Sequence, residues 1–150
     1  MTRFIVAVLE GGLVVGVLDG IAATALANFN GVAPLRAWQF VASGLMGPKA
    51  FQQGPRSAML GLLMHFVIAL GATSTFVVAA HFFPWLLASP VLAGAIFGAL
   101  VFVVMRLIIK ISATPKRKQK LSQVLTQVGI HIFVIGIPIA VITKHCLSPA

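Results

Sequence analysis

The sequence predicts an all-α polytopic membrane protein with four transmembrane helices and a short amphipathic interfacial helix in the first cytoplasmic loop. Three observations predict this class: 59% of the 150 residues are hydrophobic, only 9% are charged, and the mean hydropathy is +1.06. A soluble domain carries about 25% charged residues, so this chain has too few charges to cover a water-facing surface. The same apolar content excludes an intrinsically disordered chain, which needs low hydrophobicity.

Four stretches of the chain are long and apolar enough to be transmembrane helices, which need about 20 mostly apolar residues. They run over about 4–27, 58–82, 90–111 and 124–143. We interpret the whole chain, 1–150, as a single four-helix transmembrane domain.

A cleaved signal peptide is an alternative interpretation of the first stretch. Arg3 precedes an apolar run that ends at Ala25-Leu26-Ala27, which resembles a small-residue cleavage site. However, Glu10 and Asp19 lie inside that run, where a signal peptide is apolar. A first spanning helix is therefore the favoured interpretation.

The connection between the first two spans contains the pattern of a short amphipathic helix. Leu35, Trp38, Ala42 and Leu45 recur at helical spacing with polar residues between them. One interpretation places this helix in the cytoplasmic interface with Trp38 at headgroup level. The favoured interpretation is a packed connector that only caps the bundle, because the stretch is short.

Positive charges predict the orientation. Nine of the 11 Lys and Arg residues fall in two connections on one side, or in the helix end beside them: Arg36, Lys49, Arg56, Arg106, Lys110, Lys116, Arg117, Lys118 and Lys120. Cytoplasmic loops carry an excess of Lys and Arg, so we expect both connections to be cytoplasmic and both termini to lie outside. This grouping at the ends of apolar blocks favours a lipid bilayer as the partner, and not a nucleic acid.

Glycines predict where the helices pack closely. They recur every four residues in two spans: Gly12, Gly16 and Gly20 in the first, and Gly94 and Gly98 in the third. Such small-xxx-small surfaces let two helix backbones approach each other. Asp19 falls within the arc of the first-span glycines, so its side chain is expected to face the bundle.

Ionisable side chains inside the spans are candidate functional groups, because a charge in the bilayer interior is costly. Asp19, His65 and His131 lie at a similar depth, about 10–15 Å from the cytoplasmic boundary at 1.5 Å per helical residue. We predict an intramembrane polar site from these three, with Arg106 nearer the cytoplasmic surface and Glu10 nearer the outer one. A carboxylate beside imidazoles has the groups that a proton relay needs, since histidine titrates near neutral pH. A structural hydrogen-bond network between packed helices would contain the same groups, and for these three residues it is the preferred alternative.

Three functions are compatible with this pattern. The favoured one is a component of a small-solute or proton-linked transporter or channel, which we expect to form a homo-oligomer. The alternatives are a structural or accessory subunit that docks partners through its glycine faces and Glu10, and a redox anchor with haem between His65 and His131. No metal or other cofactor is predicted, since no two histidines have the spacing of a local chelate, and we expect no enzymatic activity.

Short motifs between 61 and 140 resemble a known family. They are His65 in the second span, Phe83-Pro84, the Gly94 and Gly98 pair, Thr114-Pro115, and His131. Together they resemble the small bacterial inner-membrane proteins related to YagU (the DUF1440 group). The resemblance implies a bacterial inner membrane, and hence periplasmic termini, but brings no established activity. The first helix of that group carries a basic residue where this chain has Asp19.

The predicted orientation is testable at Cys146, the sole cysteine of the chain. A membrane-impermeant maleimide is expected to label it in intact spheroplasts, because the fourth span ends outside. A Lys120→Cys variant made in a Cys146→Ser background is the control, and should be labelled only after lysis. The reverse pattern would overturn the orientation.

Overall fold

The computed structural model describes residues 1–116 and 119–148, and in these ranges it contains helices and no strand. The six α-helices are α1 (Thr2–Phe29), α2 (Pro34–Met46), α3 (Gly54–Phe82), α4 (Pro90–Ile111), α5 (Leu121–Ile130) and α6 (Ile137–Leu147). A π-helical turn, His131–Gly136, joins α5 and α6 into one continuous rod. Of the predicted cytoplasmic cations, Arg117 and Lys118 lie outside the described residues.

Four helices of the described chain are long and apolar enough to cross a membrane: α1, α3, α4 and the rod Leu121–Leu147. This confirms the predicted all-α fold with four apolar spans. Three of the helices extend a few residues beyond the predicted apolar stretches. At α3 the reason is local, because Pro55 occupies the first turn, where a missing N–H is tolerated.

Helix α1 packs against both α3 and α6. Helix α4 packs against α6 and the π-helical turn, and its Phe97 ring meets Phe76 of α3 with centroids 5.1 Å apart. One cluster of buried apolar side chains contains residues from all four apolar spans: Val15, Phe76, Ala80, Ala93, Ile135, Ile139 and Ala140. The bundle is therefore filled with side chains at this level.

The tightest helix contacts occur at glycines. A Cβ atom at Gly16 would lie 2.7 Å from the Phe66 ring, and one at Gly94 would lie 2.6 Å from the Cα of Ile137. A Cβ atom at Gly98 would collide with the carbonyl of His131. At Gly94 and Gly98 the close atoms belong to the facing backbone, so these two glycines set the distance between α4 and the fourth span, whereas Gly16 makes room for the Phe66 ring.

The π-helical turn lies directly before Pro138. Proline has no N–H to donate to the carbonyl one turn earlier, and single π-turns relieve such interruptions inside α-helices. Gly136 closes the turn and is buried against the backbone of Gly94 and Gly98. The fourth rod thus uses its irregular turn as the surface on which α4 packs.

The first long connection does contain a short helix, α2, which crosses α3. A Cβ atom at Gly61 would collide with the carbonyl of Trp38, and the amide Nε2 of Gln39 donates to the carbonyl of Gly54 at 3.0 Å. The Trp38 indole turns inward against Gly20 and His65, where the small residues of α1 leave room for it. These contacts agree with the interpretation of α2 as a packed connector.

The glycine contacts predict an asymmetric response to added methyl groups. Gly98→Ala should destabilise the bundle by about 1–3 kcal/mol, the usual cost of overpacking. Gly71→Ala is the matched control, because an added Cβ there meets nothing within 4 Å and alanine favours helix by about 1 kcal/mol. Apparent melting temperatures in detergent compare the two, and equal values would contradict the packing role of Gly98.

Candidate intramembrane polar site

Asp19 of α1 and His65 of α3 face each other between the spanning helices. The Oδ2 atom of Asp19 lies 3.9 Å from Nδ1 of His65, and the side chains are 20% and 12% exposed, respectively. The close approach of α1 and α3 at Gly16 and Gly20 brings the two groups together. An ionisable pair is therefore largely sheltered inside the bundle.

A backbone carbonyl determines which nitrogen of His65 faces the carboxyl group. Nε2 of His65 lies 2.8 Å from the carbonyl oxygen of Gly16. A carbonyl only accepts hydrogen bonds, so Nε2 donates and carries the hydrogen. The other ring nitrogen, Nδ1, is the atom that faces Asp19.

Aromatic rings enclose the imidazole. The Trp38 indole of α2 meets His65 edge to face, with centroids 5.3 Å apart, and Phe66 does so at 5.6 Å. A Cβ atom at Gly20 would lie 3.2 Å from the indole, so the Trp38 ring fits against α1 only because residue 20 is a glycine. Trp38 thus covers the pair on the side of α2.

His131 lies apart from this pair. Its Nδ1 atom is 2.8 Å from the carbonyl oxygen of Gln127, one turn earlier in its own helix, and its ring meets Phe102 of α4 at 5.4 Å. Within the described chain, no hydrogen bond or ion pair joins His131 to Asp19 or His65. A similar depth in the membrane did not bring the three groups into one contact network.

Arg106 and Glu10 contact neither member of the pair. The Arg106 guanidinium lies 5.8 Å from the centre of the Phe102 ring and donates to the side-chain oxygen of Gln119. Glu10 is exposed on α1, where it accepts a hydrogen bond from the thiol of Cys146 at 3.6 Å. The two side chains mark separate surfaces of the bundle.

Two parts of this site were not anticipated from the sequence: the Gly16 carbonyl and the inward position of Trp38. Every residue has a carbonyl, so no sequence signal singles out the one at Gly16. For Trp38 the sequence shows only that it shares a helix face with Ala42, four residues later. The backbone of both residues meets Gly61 of α3, a contact that exists only in the assembled helices.

The haem hypothesis is not favoured by this geometry. Nε2 of His65 bonds to Gly16, its Nδ1 faces Asp19, and a tightly packed helix contact surrounds it. Ligation of iron would require His65 to give up one of these contacts. In residues 1–116 and 119–148, no group of three or more His, Cys, Asp or Glu side chains is placed to hold a metal ion.

The fold and its apolar helices define the chain as a multi-pass integral membrane protein built as a four-helix bundle. No protein-family model, curated protein or solved structure matches the chain. The resemblance to the proteins related to YagU therefore stays a prediction.

The covering role of Trp38 is testable by chemical access to Asp19. In a Glu10→Gln background, Asp19 is the sole acidic side chain, and a membrane-permeant carbodiimide modifies protonated carboxyl groups. Trp38→Ala should raise the rate of Asp19 modification severalfold, located by fragmentation mass spectrometry. Trp85→Ala, in the exposed turn Pro84–Leu87, should leave the rate unchanged. A rate unaffected by Trp38→Ala would show that the indole does not restrict access.

Proposed function

We propose that the protein is a component of a proton-linked transporter or channel for a small solute, and that Asp19 and His65 bind and release the proton. The observation that carries this proposal is the orientation of His65. Its Nε2 donates to the Gly16 carbonyl, and its Nδ1 lies 3.9 Å from the Asp19 carboxyl group.

The pair holds one proton in either of two arrangements. A protonated Nδ1 faces an ionised carboxylate, or a neutral imidazole faces a carboxylic acid. When this proton leaves, a nitrogen lone pair faces a carboxylate, and the attraction between the side chains is lost. Because Asp19 lies on α1 and His65 on α3, proton release weakens a contact between two spanning helices. This links the protonation state to helix packing.

A purely structural pair would act differently. Polar contacts between membrane helices contribute about 0.6 kcal/mol on average and up to about 1.7 kcal/mol. Such a contact affects stability, whereas a proton-transfer site affects transport in a folded protein. The two roles are therefore separated by measuring flux and stability on the same variants.

We propose that a second copy completes the pathway. The buried cluster around Phe76 and Ile139 fills the centre of the single bundle, which supports a route at an interface between copies. The same proposal includes a location in a bacterial inner membrane and a cytoplasmic position for the two connections that carry the cations. It also includes the absence of enzymatic activity. The excess of cations on one side of the bundle supports the orientation.

The second candidate function is a structural or accessory subunit, favoured by the exposure of Glu10. A carboxylate on the surface of a spanning helix is costly against lipid, so a partner helix with a cation would stabilise it. The glycine faces do not support this role, because they are buried between helices of the same chain. Glu10 and the apolar surface around it would have to form the docking site.

Proton flux tests the proposal directly. In proteoliposomes with an entrapped pH-sensitive dye and an imposed pH gradient, Asp19→Asn and His65→Gln should each reduce flux to the level of protein-free vesicles. Glu10→Gln, which removes the other carboxylate, should retain flux.

Flux that survives Asp19→Asn in a stable protein would contradict the proposal. A wild-type protein that shows no flux and co-purifies with a stoichiometric partner would instead favour the accessory subunit.

A further inference from the structure

Two cations lie on the membrane-facing surface of α4 near the predicted cytoplasmic end. Arg106 and Lys110 are both exposed, and they are four residues apart, which places them on one helix face. Two like charges at this spacing repel each other. An anion between them would remove the repulsion.

The Arg106 guanidinium is already held in place. It lies over the Phe102 ring, which is in turn supported by the edge of His131. It also donates to Gln119, from the segment that follows α4. Arginine has five N–H donors, so donors remain for a second acceptor, and the side chain loses little further freedom when that acceptor binds.

The chain offers no acidic side chain to these cations. Its two acidic residues are Glu10 and Asp19, and they contact Cys146 and His65, respectively. Any further anion must therefore come from another molecule. Lys116 differs from Arg106 and Lys110, because its ammonium group donates to the carbonyls at the end of α4.

The surroundings of the two cations are apolar. Val103, Leu107 and Ile111 are 51%, 55% and 84% exposed on the same stretch of α4. In a spanning helix such side chains face acyl chains. Because this surface contacts acyl chains, an anion that reaches Arg106 along it must itself carry acyl chains.

We propose that Arg106 and Lys110, together with the Gln119 side chain, bind the phosphate group of an acidic phospholipid. Guanidinium groups bind phosphate through paired N–H donors, and Lys110 supplies a second charge one helical turn nearer the headgroups. The acyl chains lie along the exposed apolar surface of α4. This site is independent of the Asp19 and His65 pair.

Native mass spectrometry of the detergent-solubilised protein tests this site, with phosphatidylglycerol as the probe and phosphatidylcholine as the neutral reference. Arg106→Gln and Lys110→Gln should each weaken phosphatidylglycerol binding about fivefold, the effect of about 1 kcal/mol per basic residue at an anionic surface. Phosphatidylcholine binding should not change. Lys49→Gln is the matched control, because it removes one exposed charge from the separate turn Gly47–Gln52.

An equal loss of binding in Lys49→Gln would show diffuse charge attraction and overturn the site. Unchanged binding in both Arg106→Gln and Lys110→Gln would also overturn it. If soluble glycerol phosphate displaced the lipid at equal concentration, the site would be one for a free phosphate anion. Should Arg106→Gln fail to fold, Lys110→Gln still decides the question, because no hydrogen bond of Lys110 is lost among the residues that the structure describes.

Discussion

The close approach of helix backbones at glycines is the constraint on which the rest of this structure depends. Lipid tails are as apolar as leucine side chains, so apolar burial does not drive spanning helices together, and packing contacts must do so. Here Gly16 allows α1 to approach α3, Gly61 allows α2 to cross α3, and Gly98 allows α4 to reach the π-helical turn. An added Cβ atom at any of these positions would overlap atoms of the neighbouring helix.

The same contacts define the chemistry of the polar pair. His65 reaches the Gly16 carbonyl because residue 16 has no side chain to hold α3 away. That bond occupies Nε2 and leaves Nδ1 toward Asp19. Helix packing thereby determines which imidazole nitrogen faces the carboxyl group. The contact between α1 and α3 and the geometry of the pair therefore depend on each other.

Much of the fold was predictable, whereas the site was only partly so. The four apolar spans and the short helix in the first connection are confirmed, because hydropathy and helical periodicity follow from neighbouring residues. Asp19 was expected to face the bundle from its position among the glycines, and it does lie against α3. His131 was grouped with it from depth. Depth along a helix does not determine which groups a side chain contacts around the helix axis. His131 packs against Phe102 of α4 and is joined to the pair by no hydrogen bond among the described residues, but it lies near enough for its charge to act on Asp19. The inward position of Trp38 was not predicted, because the space beside Gly20 exists only after α1, α2 and α3 have assembled.

The sequence by itself determined the class of protein, the number of spans, the strong charge asymmetry and the small-residue surfaces. Each of these properties is local, since apolar length, charge and side-chain size are read one segment at a time. Only the tertiary structure decided that His65 pairs with Asp19, which imidazole nitrogen faces the carboxyl group, and that Trp38 covers the pair. These features depend on the rotation and crossing of helices that are distant in sequence. The order of residues along a single helix does not contain that information.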